Sequence, residues 1–239
     1  VANLPATQPA IGRANSWAAK AYLAKVYMYQ KKYAEAKTLL DDVIANGTTA
    51  SGKKYNLVNF FDNFNPETKN SVESVFSAQM SVNDNSGGSN GNWGDVLNFP
   101  YNGGPGGCCG FYQPSQSLVN SYRVDTDGLP LLDNFNSVDV KNDQGLKSDD
   151  PFTPETAPLD PRLDITVGRR GIPYLDWGVH PGNNWIRDQA NGGPYAPKKS
   201  VYAKRQQGAL TDKSFWSTGI TANNYTIIRF ADVLLMAAE

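Results

Sequence analysis

Few residues in this chain have the means to do chemistry. Gly87-Gly88-Ser89-Asn90-Gly91 has the spacing of a nucleophile elbow, in which a serine is presented under strain between a strand and a helix. Its approach, Asn83-Asp84-Asn85-Ser86, and its exit, Asn92-Trp93-Gly94, carry neither pattern, so a mobile polar loop is expected. His180 is the only histidine, set in a turn by Gly178 and Pro181. Asp176 or Asp188 could orient it as a general base, but no nucleophile lies nearby in sequence, and a surface or capping histidine is expected. A glycosidase needs two carboxyl groups at a set separation, one with a raised pKa. No such pair stands out, and most aspartates sit beside Gly, Pro or Asn, where they make turns. Asp125-Thr126-Asp127-Gly128 opens like a calcium loop, yet position 136 is Asn136 where the loop requires a glutamate. A turn is expected there, with a non-standard structural calcium site as the alternative. Cys108 and Cys109 are adjacent. Neighbouring Cα atoms lie ~3.8 Å apart, against ~4.4–6.8 Å for an ordinary disulfide, so two free thiols are expected. No catalytic residue, metal ligand or cofactor emerges, and the chain does not look like an enzyme.

The aromatic residues carry more. Trp93, Tyr101, Trp177, Trp185 and Trp216 sit in polar or Gly/Pro-rich segments rather than in periodic helices. A sugar presents apolar C–H faces and a rim of hydroxyls. Flat rings pack on the faces, and Asn, Asp, Arg and Gln bond the rim, the general recipe for a small-ligand site. These five are the candidate ligand-binding residues. Packing of the rings onto the body is the competing role. It is favoured for Trp177, evenly matched with ligand contact for Trp93 and Tyr101, and in between for Trp185 and Trp216.

The elements that must position these rings are helical at both ends. Asn15 or Ser16 can cap a helix. Ala19, Tyr22, Leu23, Val26, Tyr27 and Gln30 then share one helical face, and Tyr33, Ala36, Leu39, Leu40, Val43 and Ile44 repeat the spacing after a Lys31-Lys32 turn. Gly47 stands where a left-handed C-cap belongs. Two short helices with a tight turn make a hairpin over 14–47, with the small Ala24 and Ala36 allowing close approach. The pattern matches the tetratricopeptide unit, which needs neighbours to bury its face. Residues 225–239 are apolar nearly all round, as in a buried scaffold helix. Between them, 48–224 reads as a loop-rich region, with a weak strand over 72–81 and a short helix over 114–122 capped by Ser115. Residues 1–14 read as an extended lead-in. A net charge of −1 argues against nucleic acid, which requires a clustered positive field, and no apolar run approaches the ~20 residues of a membrane span.

Leu159-Asp160-Pro161-Arg162-Leu163-Asp164, running on through Gly168-Arg169-Arg170-Gly171-Ile172-Pro173-Tyr174-Leu175-Asp176-Trp177-Gly178, is a string of positional demands on the backbone. It resembles a signature of the SusD/RagB family, surface nutrient-binding lipoproteins of Bacteroidetes. Further likeness lies in Gly107-Cys108-Cys109-Gly110-Phe111-Tyr112-Gln113-Pro114-Ser115, in Asp127-Gly128-Leu129-Pro130 and in the final Arg229-Phe230-Ala231-Asp232 helix. The resemblance implies a mostly α fold, with SusD-like tetratricopeptide hairpins carrying a large irregular loop region and a few short strands. On this basis the chain is expected to be an internal fragment of a single domain, incomplete at both ends. The implied function is non-catalytic binding of a glycan such as starch at the outer membrane. The ligand would pass to a SusC-like TonB-dependent transporter, and contact with the membrane would run only through a lipid anchor outside the chain. The alternative is a tetratricopeptide-type peptide-binding module, including RagB-like peptide uptake. The signature itself is expected to lock the loop region to the scaffold rather than meet ligand.

Overall fold

The computed structural model describes residues 3–239, so the first two residues of the expected lead-in lie outside the described residues. In chain order the elements are α1 (Ser16–Tyr29), α2 (Tyr33–Asn46), β1 (Ser74–Ala78), α3 (Gln116–Asn120), α4 (Leu163–Thr166), β2 (Val167–Gly168), α5 (Gln189–Gly192), β3 (Ala196–Pro197), β4 (Tyr225–Arg229) and α6 (Phe230–Ala238). The chain folds as two compact units, Val1–Met80 with Asn223–Glu239, and Ser81–Ala222.

The first unit holds the longer helices. Asn15 starts α1: its Oδ1 accepts the Ala18 N–H at 2.8 Å, and its amide donates to the carbonyls of Ala6 and Thr48 at 2.9 Å. The buried residues of α1 are Ala18, Ala21 and Ala24, whereas Tyr22 and Val26 are exposed. Ala24 and Ala36 thus bring the helices together as expected, and Tyr27 packs on the core, but Tyr22 and Val26 of the expected large-residue face are left open. Methyl-sized side chains let the α2 backbone come close on the other side, where Ala36, Leu40 and Val43 are fully buried. Burial of Leu40 and Val43 contributes about 1.5–3 kcal/mol each. Gly47 is also not left-handed. It is extended, at φ −63° and ψ 142°, and glycine is required because a Cβ would meet the Val43 carbonyl at 2.4 Å and the Tyr55 ring at 2.7 Å.

Residues 225–229, expected to begin the last helix, instead form β4, antiparallel to β1 with Ser74 opposite Arg229 and Ala78 opposite Tyr225. The β-branched run Thr226-Ile227-Ile228 suits a strand. Helix begins only at Phe230, where the Asp232 carboxylate accepts the Arg229 N–H at 2.7 Å. Phe230 stacks on Tyr55 at 5.8 Å and Val233 is buried, but Leu235 is 68% exposed, so α6 is not covered all round.

The second unit has helices of five residues or fewer and two-residue strands, β2 pairing with β3 through Val167–Pro197 and Gly168–Ala196. Helix is thus the minor component here, and irregular backbone dominates. Polar side chains take over the bonding that a ladder would provide. Buried Asn120 accepts the Val140 N–H at 2.9 Å and donates to Asn136 and Asp139. The core is Val119, Val140, Leu163, Val167 and Tyr195, with Tyr174, Tyr202 and Phe99 fully buried beside the loops. Ser115 caps α3 as expected, accepting the Leu118 N–H at 3.2 Å.

Candidate ligand-binding surface

All five candidate aromatics lie in the second unit, where the fold sorts them into different environments. Trp93 opens a short 3-10 turn. Asn92 caps that turn, accepting the Gly94 N–H at 2.9 Å and donating to Asp95 at 3.0 Å, while its own N–H bonds the Thr221 carbonyl. The Trp93 ring meets Phe215 edge-on at 4.9 Å, and Phe215 lies 5.6 Å from the Trp216 ring. Trp93 is 50% exposed and Trp216 69%. Two of the candidates are thus joined through Phe215, which sequence reasoning missed. Its signal was its place between Ser214 and Trp216 in a segment without period.

The support beneath this surface is dense. The buried Asp212 carboxylate accepts both the hydroxyl and the N–H of Ser214 and the N–H of Asn83. The Ser214 bonds hold it below the usual carboxylate range. Asn83 in turn donates to the Thr211 carbonyl at 3.1 Å and accepts the Lys213 N–H at 3.0 Å. The Gly/Ser/Asn segment expected to be mobile is closed by Asp84, which takes bonds from Ser81, Ser86 and Asn90. Ser89 lies in that turn, without the strand and helix that an elbow requires.

Trp185 and Trp177 are packed. The half-buried Trp185 ring contacts Tyr174 at 5.5 Å and His180 at 5.3 Å, both edge-on, and Gly104 lies so near that a Cβ would reach the ring at 3.0 Å. Trp177 donates its indole N–H to the Tyr202 carbonyl at 3.1 Å and meets the Tyr202 ring at 5.9 Å. Tyr101 is 37% exposed, and its N–H bonds the Trp185 carbonyl at 2.9 Å.

His180 is not a surface residue, although its ring does cap a backbone N–H. It is 1% exposed, its Nδ1 accepts the Gly182 N–H at 3.1 Å, and Nε2 has no partner. Burial, aided by the nearby Lys198 ammonium, lowers its pKa to about 3. It is a neutral core residue. Neither aspartate orients it: Asp176 accepts the N–H groups of Lys204 and Arg205, and Asp188 caps α5. Asp125 uses one oxygen on the N–H groups of Asp127 and Leu129, a turn. Among the described residues, no group of three or more His, Cys, Asp or Glu is arranged to hold a metal.

Cys108 and Cys109 are joined as a disulfide rather than free. The bridge sits in a loop held from several sides. The Cys108 carbonyl accepts the Asn102 N–H at 2.7 Å, the Cys109 carbonyl accepts from Arg187 at 3.1 Å, and Tyr101 pairs with both residues.

The stretch from 159 to 178 is a lock inside this unit. Asp164 takes Arg169 in a two-pronged bond at 2.6 and 2.9 Å. Arg170 caps the Ser148 and Asp150 carbonyls and lies 4.0 Å from Asp143, whose pKa burial raises. The buried Lys198 ammonium donates to the carbonyls of Asp164 and Pro173, and Tyr174 donates its hydroxyl to the Pro197 carbonyl.

A model of the SusD family matches residues 72–239, and no curated protein matches the sequence. Among solved structures, a SusD superfamily protein from Bacteroides vulgatus aligns at 22% identity and a TM-score of 0.54, over 99% of this chain and 41% of its own. A SusD-like protein from Bacteroides fragilis aligns at 21% identity and a TM-score of 0.56, over 98% and 45%. A laminarin-binding SusD-like protein aligns at 20% identity and a TM-score of 0.49, over 100% and 46%. This chain spans less than half the length of each.

Proposed function

The chain belongs to the SusD family, and from that premise we propose that it binds an oligosaccharide without acting on it chemically. The observation that carries this is the exposed Trp93–Phe215–Trp216 cluster, anchored from below by Asn92 and Asp212. Contiguous exposed apolar patches mark interaction sites on protein surfaces. Rings fixed by their own turns lose little freedom on binding. Trp177 and Trp185 are assigned to the scaffold of the site, and Tyr101 to a separate edge of it. In this reading both units are parts of one SusD-like domain longer than this chain. The α1–α2 pair is its tetratricopeptide-like hairpin, and the protein is a surface lipoprotein of the outer membrane that hands ligand to a SusC-like transporter. Among the described residues no helix is long and apolar enough to cross a membrane.

Isothermal titration against neutral oligosaccharides is the test. Binding by the native chain, lost in Trp93→Ala and Trp216→Ala while both variants melt as the parent does, is the expected result. Equal binding by both variants would remove the cluster from the site. Peptide binding is the second reading. It is favoured by an apolar groove of about 450 Å³ in the first unit, lined by Ala14, Ala18, Ala19, Tyr22, Leu23 and Phe76. That reading requires Tyr22→Ser to abolish capture while the tryptophan variants stay active.

A further inference from the structure

The second unit exposes another set of rings, away from the tryptophan cluster in sequence and built by different means. Tyr101 is 37% exposed, Phe111 39% and Tyr112 59%. The loop that carries them is specified to an unusual degree. Tyr112 holds a positive φ of 56°, a region that bulky side chains avoid and that costs of order 1–3 kcal/mol where surroundings enforce it. Gly110 is left-handed at φ 60°, and a Cβ there would strike Tyr101 at 2.7 Å, so Tyr101 lies against the backbone that leads directly into Phe111 and Tyr112. The Cys108–Cys109 bridge closes the turn between them. Nothing in the packing of the second unit's core requires Tyr112 to be strained and exposed at once.

Arg187 completes the set. Its guanidinium lies 5.0 Å over the Phe111 ring, and one nitrogen bonds the Cys109 carbonyl at 3.1 Å. The side chain is exposed and has no carboxylate partner among the described residues. A guanidinium held in place by a ring and a carbonyl keeps donors turned outward in a fork that suits a carboxylate. The other arginines of this unit are engaged elsewhere: Arg162, Arg169 and Arg205 pair with aspartates, Arg170 is buried on carbonyls, and Arg123 donates to the Phe135 carbonyl.

We propose that Tyr101, Phe111, Tyr112 and Arg187, set by the Cys108–Cys109 turn, form a second ligand-contacting surface for a saccharide bearing a carboxylate, such as a uronic-acid residue. The rings take the C–H faces and Arg187 takes the acid. The assignment rests on the saccharide reading of this unit, and adds to it an acidic ligand class and a separate set of residues.

Titration of the native chain with a short oligogalacturonate, and with the same oligomer as its methyl ester, tests it. The expected result is affinity for the acid about tenfold above that for the ester, a gap of roughly 1.4 kcal/mol. Arg187→Gln should close the gap without lowering the melting temperature, and Tyr112→Ala should weaken both ligands. Equal affinity for acid and ester, or a gap that survives Arg187→Gln, overturns the proposal. Neutral oligosaccharides bound through Trp93 in the same protein would leave the function standing while this surface falls. Failure of every saccharide, neutral and acidic, would sink both.

Discussion

Two aromatic clusters in the second unit use the same residue types to opposite ends. Around Tyr174, the rings of Trp185 and His180 and the ammonium of Lys198 are enclosed, and the polar atoms turn to backbone carbonyls of 164, 173 and 197. Around Phe215, Trp93 and Trp216 are exposed, and the buried polar groups Asn92 and Asp212 bond the backbone next to them. In the first cluster the rings replace a missing regular core, so removing one opens a cavity. In the second the bonding network fixes the segments that carry exposed rings. Aromatic content alone therefore says nothing about role; the place of the polar atoms relative to the rings does.

The contrast can be broken most sharply at Tyr174. Tyr174→Ala removes a fully buried ring and its hydroxyl bond, and should cost about 3–5 kcal/mol in denaturant unfolding. A loss under 1 kcal/mol would mean that the enclosed cluster is not a core. His180 gives the next effect. Its folded pKa of about 3 lies below its ordinary value of 6.5, so the unfolded chain binds the proton first as pH falls. Its contribution is complete above about pH 6.5 and is lost as pH drops toward 3. From pH 7 to pH 5 the loss should be about 2 kcal/mol. His180→Asn, which keeps an acceptor for the Gly182 N–H, should flatten that slope in a pH series of unfolding curves.

On the exposed side the expected order reverses, with large effects on binding and small ones on stability. Trp216→Ala should leave unfolding within about 0.5 kcal/mol of the parent, as substitutions away from packed features do, while oligosaccharide affinity falls tenfold or more. Trp177→Ala should do the opposite, since its indole N–H holds the Tyr202 carbonyl. A small stability change is also expected for the double variant Cys108→Ser, Cys109→Ser. Closing so short a ring removes little entropy from the unfolded chain, so less than about 1 kcal/mol should be lost in unfolding. A severalfold drop in acidic oligosaccharide affinity is expected alongside it.

The local features came from local causes. Asn15 and Ser115 cap their helices because a side-chain acceptor beside free N–H groups needs nothing else. The pairing of Ala36, Leu40 and Val43 follows from period alone. The stretch from 159 to 178 lies within the residues that match the SusD family, and its Arg169–Asp164 pair ties the loop to itself. Spacing did not settle which side of several residues meets water. Spacing put Tyr22 and Val26 on the apolar face of α1, yet both are exposed while Ala18, Ala21 and Ala24 are buried. It left His180 on the surface because burial there depends on Tyr174, Trp185 and Lys198, brought together from distant points of the chain. Tertiary structure alone joined Trp93 to Trp216 through Phe215, and separated Trp177 and Trp185 from them. Composition and order determine what each segment can form and which family it belongs to. Whether a ring becomes core or contact depends on long-range packing, because burial is shared among residues that sequence keeps apart.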